Sequence, residues 1–168
     1  MFQRRSPLLN RNPDLIVELF DLAENLPEDQ RLLGLDLGTK SIGLALSDVS
    51  LTIASPLETI RRTKFTQDAE QLLAVAGKHQ VGGLVLGYPL NMDGSKGPRA
   101  QASESFARNL ARLSDLPVAL WDERLSTAAV TRTLLEADAS RRRRAEVVDK
   151  MAASFILQGA LDRLGYGR

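Results

Sequence analysis

The stretch Val81 to Tyr88, VGGLVLGY, is a continuous apolar and glycine run with no alternation of polar residues. A strand of that kind has no face to give to water, so it belongs inside a sheet covered on both sides, as in parallel α/β sheets. The residues before it agree. Phe65, Ala69, Leu72, Leu73 and Ala76 recur at helical spacing and predict a helix over 65–79. Strand, helix and strand in succession imply a parallel crossover.

Upstream, Leu32 to Leu37 and Ile42 to Ser47 are short apolar runs separated by a glycine-containing turn, which predicts a β-hairpin with heavily buried strands, and a third strand is expected through Leu51 to Ile60. Downstream, Pro89 to Pro98 (PLNMDGSKGP) is rich in turn residues and leads into a helix near Arg99 to Leu113. Pro117 to Trp121 predicts a fifth strand, ending in Asp122-Glu123-Arg124. A helix is expected from about Ser126 to Glu136, then a polar, basic, poorly patterned segment from Ala137 to Arg144, then a long helix over about Ala145 to Leu164. Before the hairpin, Asn12-Pro13-Asp14 is a good helix start, and Leu15, Leu19, Leu22 and Leu26 extend it as an amphipathic helix over 13–25. The sum is a mixed open α/β sheet in 31–168, with an N-terminal extension and its helix in 1–30.

The 168 residues, 43% hydrophobic and 26% charged, suit one globular domain with its own core. There is no cysteine, which removes thiolate metal sites, thiol nucleophiles and disulfides, and makes a cytoplasmic home the expectation. No apolar run approaches the ~20 residues of a membrane helix, so no membrane association is expected. Lys plus Arg number 22 against 21 Asp plus Glu. Net charge therefore says nothing of a polyanionic partner, but basic residues gather at Arg61-Arg62-Thr63-Lys64, at Lys96 and Arg99, and at Arg141 to Arg144.

Ligands of open α/β sheets bind outside the carboxyl ends of the strands. Three places supply acids there: Asp36 in the first strand, Asp122-Glu123 after the fifth, and Asp149 in the last helix. Asp149 shares a face with Ala152, Ala153 and Ile156, three, four and seven residues on. Alternation along VALWDER sends Asp122 and Glu123 to opposite faces, so one of them points into a given site. Buried carboxylates cost several kcal/mol unless cations neutralise them. Magnesium suits that role, since it takes oxygen ligands and keeps waters for a phosphate group. Acids alone, without His or Cys, suffice for metal-assisted phosphoryl chemistry. The single histidine, His79, stands at a helix end, where a surface or capping role is expected.

LGLDLGTKSIGLALSD, VGGLVLGYPLNMDGSKGP, WDERLSTAAV and VDKMAASFILQGALD together resemble the YqgF/RuvX family of RNase H-like nucleases, in the family's order, over Leu33 to Asp162. The resemblance implies a five-stranded mixed sheet of order 3-2-1-4-5, strand 2 antiparallel, flanked by helices. It implies a metal-dependent nuclease for the 5′ end of precursor 16S rRNA, or alternatively a Holliday junction resolvase acting on branched DNA, working as a monomer or homodimer. Carried onto matching positions, Asp36, Glu123 and Asp149 are the expected catalytic acids and ligands of Mg2+ or Mn2+, with Asp122 a rival for Glu123.

Related nucleases often carry an acid at the end of the fourth strand, where this chain reads Tyr88-Pro89-Leu90-Asn91. In the implied order strand five is two strand spacings, ~10 Å, from strand one, a distance that favours Glu over Asp. Lys40 at the hairpin tip, Asn91 in the loop after strand four, and Arg124 are the expected nucleic-acid contacts, with an Arg124–Asp122 ion pair as an equal alternative. Lys64, Arg99 and Arg141 to Arg144 are weaker candidates. Two rivals have sequence support. The Asp-x-Gly-Thr hairpin also occurs in actin-like ATPases, but those close two domains around ATP. A non-catalytic nucleic-acid-binding module would retain the fold, but three carboxylates would then repel the polyanion.

Overall fold

The computed structural model describes residues 15–125 and 141–166, and side chains within 15–125 and 148–165. Five strands, β1 (Arg31–Leu37), β2 (Ser41–Ser47), β3 (Ala54–Arg61), β4 (Val81–Tyr88) and β5 (Val118–Asp122), form one sheet of order β3-β2-β1-β4-β5. β2 is antiparallel to both neighbours, while β1, β4 and β5 run parallel. The expected order and orientation are thus the observed ones.

Four helices flank the sheet among the described residues: α1 (Leu19–Glu24), α2 (Phe65–Lys78), α3 (Pro98–Ala111) and α4 (Arg141–Tyr166). Strand alternation divides the core in two. Leu33, Leu35, Ile42, Leu44, Leu84 and Leu86 pack against Leu72, Phe106 and Leu110 of α2 and α3. On the other face Leu32, Ala45, Val85 and Ala119 pack against Ala153, Ile156, Leu157 and Ala160 of α4, with Leu22 of α1. β4 is buried on both sides, as its unbroken apolar run requires.

Three element boundaries differ from expectation. The N-terminal helix is Leu19–Glu24 rather than 13–25. Its expected start at 12–14 lies outside the described residues, and Leu15 to Val17 run extended instead, with Val118 N–H donating to Leu15 O (2.8 Å) and Val17 N–H to Val118 O (2.9 Å). Periodicity misled here because β5 is an edge strand whose backbone groups accept any extended neighbour, and that pairing outweighs a weak local helix preference. The last helix begins at Arg141, inside the segment that looked poorly patterned. Arginine, alanine and glutamate sustain helix by propensity, with no apolar stripe for the eye to follow. The third strand begins at Ala54, since 48–53 form a turn around Asp48. The helix expected over 126–136 lies outside the described residues.

Candidate active site

Asp36 stands near the carboxyl end of the central strand β1 and is 3% exposed. Leu33, Leu35 and Leu37 turn to the α2/α3 side, so Asp36, with Leu32 and Gly34, turns toward α4. Its registered partner across the antiparallel pair is Gly43. A Cβ built on Gly43 would come 2.0 Å from the backbone carbonyl oxygen of Asp149. The absence of a side chain there lets α4 lie directly on the sheet beside Asp36. The Ser41 hydroxyl, two residues along β2 on the same face, donates to the Asp149 carboxylate.

On the other flank, Leu35 and Leu86 are registered partners of β1 and β4, so Asp36 and Gly87 follow at one level. A Cβ on Gly87 would meet Ile156 of α4 at 2.6 Å and the carboxyl carbon of Glu123 at 3.5 Å. Glu123 lies in a 3-10 turn, Glu123–Leu125, that follows β5, and is 5% exposed. Its carboxyl group therefore lies over β4, one strand nearer β1 than its own backbone. Asp36 thus has Asp149 over the strand on one side and Glu123 over the strand on the other, all three on the α4 face.

Asp122 points away and is held in an ion pair with Arg124. The guanidinium donates through Nε to Oδ1 at 3.0 Å and through Nη2 to Oδ2 at 2.7 Å. These side-chain bonds hold the Asp122 carboxyl below the usual carboxylate range despite its partial burial, and raise the Arg124 guanidinium in turn. The ion pair that the sequence offered for Arg124 is formed. Arg124 also donates to Met92 O at 3.3 Å, tying the end of β5 to the loop after β4.

That loop is a built turn. Asn91 N–H donates to Ser95 O (3.0 Å), Gly94 N–H to Asn91 O (2.8 Å), and Asn91 Nδ2 to Ser95 Oγ (3.0 Å). Gly94 has φ +87°, the left-handed region that a glycine enters without strain. At its far end Lys96 Nζ pairs with Glu104 of α3 at 2.7 Å, and the Tyr88 hydroxyl donates to the same carboxylate. Lys96 chiefly, with Tyr88, holds the Glu104 carboxyl below its usual range. Lys40 is exposed at the β1–β2 tip. Arg62, which the sequence grouped only with a basic patch, braces that tip: its guanidinium donates to Gly38 O at 2.7 Å and its N–H to Lys40 O at 2.9 Å.

Sequence reasoning missed Ser41, Arg62 and the paired glycines at 43 and 87. The glycines left a signal, since each is a residue without a side chain in a strand flanking Asp36. Arg62 left none, because its role depends on β3 lying beside β2. Lys64 and Arg99 are exposed, while Arg141 to Arg144 lie in the first turn of α4 with side chains outside the described set.

Hard oxygen donors are what this region offers a metal. Among the described residues no three acid, histidine or cysteine side chains are gathered into a ready-made cage. Carboxylate oxygens are the donors that hard divalent cations such as magnesium take.

The sheet order, the two helical layers and the acids at the strand ends define an RNase H-like α/β protein. The family model described as "RuvX: Holliday junction resolvase" matches residues 30–163, and the chain belongs to that family. It is 74% identical over 142 residues, 84% of this chain and 92% of the other, to a Paramagnetospirillum magneticum protein named "Putative pre-16S rRNA nuclease". A Beijerinckia indica protein of the same name is 63% identical over 151 residues, 90% of this chain and 92% of its own. Among solved structures, T. thermophilus RuvC in complex with a Holliday junction substrate superposes with TM-score 0.50 at 14% identity, covering 81% of this chain and 96% of that one, a likeness of fold. No helix among the described residues is long and apolar enough to cross a membrane.

Proposed function

We propose that the protein is a metal-dependent endonuclease that hydrolyses phosphodiester bonds, with Asp36, Glu123 and Asp149 as its catalytic acids and precursor 16S rRNA, at its 5′ end, as its substrate. One observation carries the reading. Asp36 on the central strand is flanked by Gly43 and Gly87, and the strands at those two glycines are overlain by Asp149 and Glu123. Three acids on one sheet face at the strand ends offer the hard oxygen donors that a divalent cation takes together with waters and substrate phosphates.

Asp36, Glu123 and Asp149 would hold Mg2+ or Mn2+. When bound, such ions activate a water and stabilise the leaving oxygen of an in-line displacement. The chain's own part is orientation. Ser41 fixes the Asp149 carboxylate from the hairpin strand, and Arg62 fixes the hairpin that carries Lys40. Lys40 would neutralise a phosphate beside the scissile bond, and Asn91 in its braced turn would line the strand's path. Arg124, committed to Asp122, would orient that turn through Met92 O.

Precursor rRNA is favoured by the names of relatives that match most of both chains. Resolution of branched DNA is favoured by the family description, and would require two sites related by dimer symmetry. The test is cleavage of a precursor 16S 5′ leader and of a four-way DNA junction, in magnesium or manganese, by the wild type and Asp36→Asn. Loss of cleavage with retained binding is expected, and equal cleavage by both proteins refutes the reading. In cells depleted of the protein, 16S 5′ ends are expected to stay immature. Normal ends with defective recombination would select the junction substrate.

A further inference from the structure

The two most exposed large apolar side chains among the described residues are Met92, 87% exposed, and Leu125, 66%. They are not scattered. Met92 projects from the turn after β4, and its carbonyl accepts from Arg124, the residue preceding Leu125. Both stand at the end of the sheet where Glu123 lies over Gly87.

An exposed apolar side chain on a loose loop would need no explanation. This loop is not loose. The Asn91–Ser95 bonds close it, Ser95 N–H donates to Asp93 Oδ1 at 2.9 Å, Arg124 braces it at Met92, and Lys96 anchors it to Glu104. The turn holds a flexible, polarisable thioether in water while packing it against nothing. Around it stand two cations, Arg124 paired with Asp122 and Lys96, still half exposed, paired with Glu104, and one carboxylate, Asp93, which is turned into the loop's own bonds to Ser95 and stabilised by the Arg124 charge. A polyanionic strand passing the carboxylates would meet cationic groups with its backbone and Met92 with its bases. Methionine interacts well with π faces, and apolar side chains of this size insert at base steps that can be unstacked.

We propose that Met92, flanked by Leu125, forms a contact site for one unstacked nucleobase next to the scissile phosphodiester, so that the enzyme selects strands whose stacking is broken at that point. The inference rests on the nuclease reading and adds a determinant of where the strand is cut. Single-stranded segments, bulges and helix ends carry such bases, whereas a continuous duplex does not.

The test uses an RNA spanning a duplex-to-single-strand junction, with 2-aminopurine placed in turn at each position around the cut, and calcium in place of magnesium. Binding by the wild type, Met92→Ala, Met92→Leu and Ile53→Ala is followed by the probe's fluorescence and by anisotropy of an end label. Ile53 is another exposed apolar residue, 60%, in the β2–β3 turn, away from the site. Contacts between a thioether and a π face are worth about 2- to 12-fold in affinity. Met92→Ala is expected to lose the signal at one position and to weaken binding within about that range, with no loss on a strand made abasic there. Met92→Leu restores most of the effect and Ile53→Ala behaves as wild type. Equal weakening on the intact and abasic strands, or none on either, overturns the inference. Magnesium-dependent cleavage by the wild type, measured in parallel, reports separately on the nuclease reading.

Discussion

Gly43→Ala is the most discriminating single change, because the structure sets its magnitude. The new Cβ would lie 2.0 Å from Asp149 O, 2.2 Å from Asp149 C and 2.8 Å from Lys150 N. These are backbone atoms of α4, so no side-chain rotation relieves the clash. Reaching even the tightest distance real Cβ atoms show, 3.0 Å, moves the helix by at least 1 Å, the difference between 3.0 and 2.0 Å. Overpacking of this kind costs about 1–3 kcal/mol, and a backbone obstacle puts the expectation at about 2–3 kcal/mol. For a chain of this size that is a fall of roughly 4–12 °C in Tm. A displacement of about 1 Å at reacting groups costs ~100-fold in rate, so single-turnover cleavage should fall by that order while strand binding persists. Gly77→Ala is the matched control. It lies in α2 with nothing within 4 Å of the new methyl, so the same substitution should stabilise by about 0.5–1 kcal/mol. Thermal unfolding followed by circular dichroism, beside cleavage, decides. A Gly43→Ala protein that melts and cuts like the wild type would show that α4 is not seated on β2 as described.

Two further outcomes follow from the site and its surroundings. Arg62→Ala removes the brace on the β1–β2 tip and should lower cleavage by about 10-fold, with about 1 kcal/mol lost in denaturant titration; exposed Arg61→Ala should stay within about 0.5 kcal/mol of wild type. Asp48 closes the β2–β3 turn. Burial opposes its charge, but bonds from the Thr52 hydroxyl, the Ile53 amide, the Ser50 hydroxyl and the Thr52 amide hold its carboxyl well below the usual carboxylate range. A depressed folded pKa contributes stability above the unfolded value, about 3.9, and loses it as pH falls through the folded value. Acid titration of Asp48→Asn should therefore show a shallower loss of stability below about pH 4 than the wild type, and parallel curves would refute the assignment.

Much of the fold was legible because its signals are local. A continuous apolar run, a glycine turn between two such runs, and helical spacing before the next strand each report on a short window, and together they fix a mixed sheet. Signals failed where the deciding partner was distant. Leu15 to Val17 read as helix until the bare edge of β5 took them as a strand. Arg141 to Arg144 read as irregular because propensity without an apolar stripe leaves no periodic mark.

The candidate site divides the same way. That Asp36 interrupts an apolar strand, that Asp122 and Glu123 face opposite ways, and that Asp149 lies on a small-residue helix face all follow from the chain's own periodicities. Which acid lies over the sheet's centre does not. Glu123 reaches over β4 because Gly87 leaves room, and Asp122 turns aside to Arg124. Asp149 lies over β2 because Gly43 admits the helix backbone, and Ser41 meets it there. Those contacts join residues up to 108 positions apart in the chain. Spacing along a sequence fixes direction within one element, whereas distance between elements depends on how closely their backbones pack, and here two glycines set that approach.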